Sequence, residues 1–497
     1  MAEVDKTPPP DLSALAKGGR TNVFGFILRL AARIPFLFIA GRWYGAEALG
    51  IFAYAVIVVE FAAQLSTLGL KRGLAEQLSK TDRPHVHVIW DAMLGGFIAS
   101  AIAVALLVSF PQAMFPNSEI QGLERLLPLT IFALAASDIA LAALAYRHDI
   151  GATVRARAIV EPWTISIAAF FLAFYSLRDG LILAYVLSMI AALVASVWPL
   201  LRTFGLPRGW RPHPVRLMRM AWTNLPMAGA DAIEWVSRRL DIAILGLFFS
   251  PAIVGIYYVA QQLASLPQKL KTSFDPILGP VITQNLRDGN RAAVAKQVRQ
   301  AGFWIIAAQA GVALALGIPG EAWMGLVGAV FVGGTGVLAF LLAAEVVAAT
   351  AAVSEAALVY VARHRNLMIS CFMLAVQAAL SVAIILIMRA YELPLLFQAT
   401  GPAIALMLAL GMASVMKARL LSRLLEAPVS PWRWALVWAA GTATVVGYLA
   451  TFTPEWIELV IGVPAVLAIY CLIIWFRGFG AEDRLLFKMS KTDETPS

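Results

Sequence analysis

The 497-residue chain is 60% hydrophobic and only 14% charged, with 39 basic residues against 30 acidic ones. A soluble domain carries about 25% charge, so these proportions, with a mean hydropathy of +0.77, describe an integral membrane protein. They leave no stretch long enough for an independent soluble enzyme or an ATPase domain, since domains rarely fall below about 50 residues.

The first twenty residues carry Pro8, Pro9 and Pro10 with Asp5 and Asp11. This differs from the basic start and apolar core of a secretory signal, and residues 1–22 read as a retained cytoplasmic tail. Fourteen apolar stretches of spanning length follow. The first six lie near 23–41, 48–70, 89–110, 126–145, 159–177 and 180–201. The next six lie near 222–248, 252–275, 301–318, 336–361, 367–388 and 395–416, and two more near 434–452 and 457–476. All are predicted helices, because open strands leave backbone groups unpaired in lipid and no alternating barrel pattern is present.

The connections test this reading. With the amino terminus inside, 29 of the 39 basic residues fall on the inner side, while the outer connections hold only Arg42, Arg125, Arg178 and Arg389. That asymmetry is the positive-inside pattern, so the net charge of +9 reflects topology and anionic lipid, not nucleic acid. The longest inner connection, 202–221, contains Pro207, Pro212 and Pro214 and reads as a linker. It divides an N-lobe (23–201) from a C-lobe (222–416); an inner loop (417–433), two further helices (434–476) and a cytoplasmic tail (477–497) complete the plan. Cys371 and Cys471 each sit in an apolar run and read as small buried hydrophobes. The five histidines fall in polar connections without metal-ligand spacing, and neither a metal nor a cofactor is expected.

The two lobes open on a shared pattern. Arg33, Gly41, Gly50-Ile51-Phe52 and Ala55 recur at one constant offset as Arg238, Gly246, Gly255-Ile256-Tyr257 and Ala260. Both segments run from inside to outside, as in a parallel repeat about an axis normal to the membrane. The run Gly41-Arg42-Trp43-Tyr44-Gly45-Ala46-Glu47-Ala48-Leu49-Gly50-Ile51-Phe52-Ala53, then Leu65-Ser66-Thr67-Leu68-Gly69-Leu70, resembles the opening of the polysaccharide transporter family. So does Arg239-Leu240-Asp241-Ile242-Ala243-Ile244-Leu245-Gly246 leading into Val254-Gly255-Ile256-Tyr257. These are the Wzx-type flippases of the superfamily that also holds multidrug exporters and lipid II flippases. The resemblance implies an all-α polytopic fold, with two pseudo-symmetric six-helix lobes around a cavity and two extra C-terminal helices. It further implies alternating-access flipping of a polyprenyl-diphosphate-linked oligosaccharide across a bacterial inner membrane, for O-antigen, capsule or exopolysaccharide assembly. A polysaccharide polymerase and its chain-length machinery are the implied protein partners.

Ionisable residues inside spans are costly and mark functional routes. Arg29 and Arg33 lie one helical turn apart in span one, Arg238 and Arg239 in span seven, and Lys269 and Lys271 in span eight. If these helices line a cleft, the six cations are candidates for holding a diphosphate. Lys269 and Lys271 have the alternative of snorkelling to the inner surface, and adjacent Arg238 and Arg239 point about 100° apart. Asp231, Glu234, Arg238 and Asp241 follow a 3-4-3 spacing that predicts one stripe of span seven. Pairing of Glu234 with Arg238 either neutralises the helix or serves as a switch that substrate opens. With Glu60, these acids are candidates for coupling a proton or sodium gradient, the energy source implied by the lack of a Gly-rich phosphate loop. Rival readings are a multidrug cation exporter, for which the predicted site is too basic, a lipid II flippase, and a membrane glycosyltransferase or polymerase, for which the outer loops are too short.

Overall fold

The computed structural model describes residues 34–116, 122–268 and 290–480. Arg29, Arg33, Lys269 and Lys271 lie outside them. Every regular element among the described residues is a helix, the form in which each backbone donor finds its acceptor within the segment. The helices are α1 (Gly45–Ser66), α2 (Leu70–Ser79), α3 (His85–Ser109), α4 (Thr130–Tyr146), α5 (Glu161–Leu172), α6 (Gly180–Phe204) and α7 (Pro214–Phe248). After a further helix over 251–268 come α8 (Arg291–Gly317), α9 (Thr335–Val361), α10 (Arg363–Ala390), α11 (Gly401–Leu425), α12 (Trp434–Ala450) and α13 (Val463–Ile473).

Among the described residues nine helical stretches are long and apolar enough to cross a membrane. The remaining expected spans fall on helices that are shorter, such as α12, more charged, such as α7, or only partly described. The count of fourteen therefore stays an expectation, whereas the multi-pass helical membrane architecture is observed. Lipid is as apolar as a leucine side chain, so the outward faces are greasy: Phe97, Ile98, Ile102 and Leu106 of α3 are all exposed. Cys371 and Cys471 belong to that outer surface and are exposed free thiols, which corrects the expectation of burial. An apolar run marks a residue for the membrane without saying which side of the helix it occupies. Trp432, Trp434 and Trp456 are likewise exposed.

Packing divides the chain into two compact units, Met1–Tyr258 and Val259–Ser497. In the first, α2 packs on α4 and on α7, and Leu70, Leu74, Leu78, Val88, Ile89, Ile139 and Leu144 form the core. In the second, α9 is central to α8 and α11, while α12 and α13 pair and lean on α8 through Phe303, Val466, Tyr470 and Ile474. The break after Tyr258 keeps α7 with the preceding helices. The linker is also held within the first unit. Trp210 Nε1 donates to Asp91 Oδ1 at 2.8 Å, Arg83 Nη1 donates to Asp91 Oδ2 at 2.9 Å, and the Trp90 ring lies tilted against that of Trp210.

The repeated glycines explain a close crossing inside the first unit. A Cβ on Gly50 would stand 1.7 Å from the carbonyl oxygen of Pro251, and one on Gly255 would stand 1.9 Å from that of Ala46. Ala46 and Pro251 are related by the same offset as Gly50 and Gly255, so the contact is reciprocal. Small residues let membrane helices approach backbone to backbone, and here any side chain collides with a carbonyl. Just before each crossing the backbone leaves helical geometry, at Gly45 with φ +82° and at the extended Phe249.

Candidate charged site of the first unit

Helix α7 has 35 residues and is about 52 Å long at 1.5 Å per residue. Its middle brings acids to the start of α2. Thr67, Leu68 and Gly69 end α1, with Leu68 at φ +53° and Gly69 at φ +72°. A Cβ on Gly69 would meet the backbone of Asn224 and Ala228 at 2.6 Å. This turn seats Leu70, Leu74 and Leu78 in the core, leaving Lys71 and Arg72 directed at partners on other helices.

Arg72 joins two of them. Its Nε lies 2.8 Å from Asp231 Oδ1 and its Nη2 lies 2.5 Å from Glu234 Oε2. Glu234 Oε1 in turn accepts from Arg238 Nη2 at 2.9 Å, the one-turn pair expected from the spacing. Lys71 Nζ lies 3.4 Å from Asp138 Oδ2 on α4. Arg157, just before α5, pairs with Asp138 and places Nη1 2.7 Å from Glu161 Oε2. Four cations and four acids thus form two linked sets on α2, α4, α5 and α7. Such pairing lowers the cost of holding charge in an apolar bundle.

Burial separates the roles. The side chains of Asp231, Asp138 and Arg157 are 3%, 16% and 18% exposed, whereas Arg72, Glu234 and Arg238 are 54%, 47% and 49% exposed. Asp231 and Asp138 are anchors inside the unit; the Arg72, Glu234 and Arg238 group is open. Asp241 shares the stripe but has a different partner. It is 1% exposed and accepts a hydrogen bond from the Tyr257 hydroxyl at 2.8 Å. Ten residues carry it about 15 Å along the helix axis from Asp231. Arg239, on another face again, is partly buried, and Glu60 of α1 is partly buried within electrostatic reach of Tyr185 on α6.

Sequence reading missed Lys71, Arg72 and Arg157, which count there simply as basic residues of inner connections. The only local signal is that each immediately borders a span. In the second unit the corresponding surprise is Lys417, 5% exposed, with Nζ 3.0 Å from Glu355 and 3.2 Å from Ser370 Oγ.

Residues 41–315, over half of the chain, match the profile of the polysaccharide biosynthesis protein family. The chain belongs to that family. As a family member it has the fold of two kinds of solved transporter. One is lipid II flippase MurJ in an inward closed conformation, with a TM-score of 0.66 at 11% identity, covering 92% of this chain and 99% of that one. The other is a multidrug resistance MATE family transporter of the MOP superfamily. Its inward-facing form gives a TM-score of 0.63 at 13% identity over 80% of this chain and 95% of that one. The outward-facing form gives 0.55 at 14% over 82% and 96%. Identities this low speak for the fold alone. No curated protein matches the sequence at a significant level.

Proposed function

We propose that this polysaccharide biosynthesis protein is a flippase that moves polyprenyl-diphosphate-linked oligosaccharide units from the cytoplasmic to the outer leaflet of a bacterial inner membrane. Both termini are cytoplasmic, and lobes 23–201 and 222–416 alternate access for O-antigen, capsule or exopolysaccharide assembly. The observation that carries this reading is a half-exposed pair of arginines, Arg72 and Arg238, meeting at one carboxylate on neighbouring helices of a member of this family. A guanidinium in an apolar bundle suits an anionic lipid head group, which it engages through paired donors.

The chain carries its substrate without transforming it. Arg29, Arg33, Arg238, Arg239, Lys269 and Lys271 serve the diphosphate, the prenyl tail stays in lipid, and a proton or sodium gradient acting through Glu60, Asp231, Glu234 or Asp241 supplies the energy. The test is complementation of a strain lacking the gene. Arg33→Ala and Arg238→Ala should each abolish surface glycan while membrane levels of the protein persist; normal glycan in both variants would remove this assignment.

A second reading, a lipid II flippase, is favoured by the MurJ-like fold over nearly the full length of both chains. Rescue of peptidoglycan synthesis, instead of surface glycan, would select it. A multidrug cation exporter suits an arginine-bearing site poorly, because like charge repels an organic cation, and a drug-efflux assay in a sensitive host separates it.

A further inference from the structure

The carboxylate of Glu234 holds two guanidinium groups at once. Arg72 Nη2 donates to Oε2 at 2.5 Å and Arg238 Nη2 donates to Oε1 at 2.9 Å. Each oxygen therefore faces a different arginine, one from α2 and one from α7. Two oxygens on one centre, each met by its own guanidinium, is also how a phosphate is clamped.

The rest of the arrangement is asymmetric. Arg72 is aimed from behind by Asp231, whose Oδ1 takes Nε at 2.8 Å and whose side chain is only 3% exposed. The other oxygen, Asp231 Oδ2, is buried without a hydrogen-bond partner among the described residues, so this acid is committed to the interior. Glu234 is the opposite: nearly half exposed, it is not committed to the interior. One acid fixes the guanidinium and the other merely occupies it.

We propose that Glu234 is a tethered stand-in for substrate phosphate, a resting occupant that a diphosphate displaces from Arg72 and Arg238. This rests on the flippase reading and adds to it a substrate-binding residue, Arg72, and a positioning residue, Asp231. A phosphate brings more charge to the same donors than a carboxylate does, so it wins the exchange. A neutral glycan or an organic cation has nothing to offer the two arginines and leaves Glu234 in place. When the substrate departs, Glu234 returns to Arg72 and Arg238.

The test uses the full chain in lipid nanodiscs, with farnesyl diphosphate and inorganic pyrophosphate as probes and dissociation constants as the readout. Glu234→Gln is isosteric and removes only the competing charge. It should bind farnesyl diphosphate about tenfold tighter than wild type, the size of one charge-assisted hydrogen bond. Arg72→Ala should bind about tenfold more weakly when residue 234 is Gln, and lose less when it is Glu, because there the deleted guanidinium was already occupied. Arg72→Lys, which keeps the charge but not the fork, should fall between. Asp231→Asn should weaken binding when residue 72 is Arg and add nothing when it is Lys, a dependence that general loss of structure would not produce. The same gain in Glu234→Gln with pyrophosphate supports the proposal and places recognition in the head group. Unchanged or weaker binding by Glu234→Gln, with wild type still binding, overturns the stand-in alone. Failure of both proteins to bind either probe overturns it together with the diphosphate reading.

Discussion

The two packing units treat charge differently. In the first, eight ionisable side chains on α2, α4, α5, α7 and the segment before α5 form two ion-paired sets, and several remain half exposed. In the second, the buried Lys417 pairs with the more exposed Glu355 and reaches Ser370. The first sets cations and acids together at half-exposed positions; the second anchors its contact on a buried lysine. A network of pairs with exposed members offers alternatives of similar energy, whereas a contact anchored on a buried cation holds helices in place.

Replacing the central cation of each region by methionine contrasts them most sharply. Arg157→Met leaves Asp138 with Lys71 alone and takes the cation from Glu161 in a largely buried site, and should cost about 3–5 kcal/mol, the usual penalty for breaking a buried pair. Thermal unfolding of the purified protein should show a large drop, and an unchanged midpoint would mean the network is not structural. Between the extremes lies Trp210→Phe. It deprives Asp91 of one of its two donors, and about 1.5–3 kcal/mol is expected for a hydrogen bond to a charged group. The smallest effect belongs to Lys417→Met. Its stem is matched in shape, and the Glu355 that loses this contact is 39% exposed, so a loss of about 1 kcal/mol or less is expected. Surface glycan should persist in a complementation assay, and its disappearance would show that the second unit's pair also serves transport.

Much of this architecture was legible beforehand. Apolar stretches of bilayer length dictate helices because lipid offers no hydrogen-bond partners, and the glycine pattern shared by the two segments carried the family. Glu234 and Arg238 meet as a one-turn spacing requires. What escaped was tertiary. Lys71 and Arg72 read as an ordinary inner connection because their acids lie far away in sequence on α4 and α7. Cys371 and Cys471 show the complementary limit, since hydropathy distinguishes membrane from water but not lipid from protein. The 3-4-3 spacing sets Asp241 on the stripe but not its depth, and about 15 Å along the helix from Asp231 it is buried against Tyr257.

The clasp of Trp210 on Asp91 bears on how the polypeptide tolerates being severed. Gly205 and Gly209 flank the turn before it, both with positive φ and open space around them, so a protease site there would meet little resistance. After a nick, Trp210 would remain joined to α7 while Asp91 stayed with α3, and that hydrogen bond would fasten the fragments across the missing peptide bond.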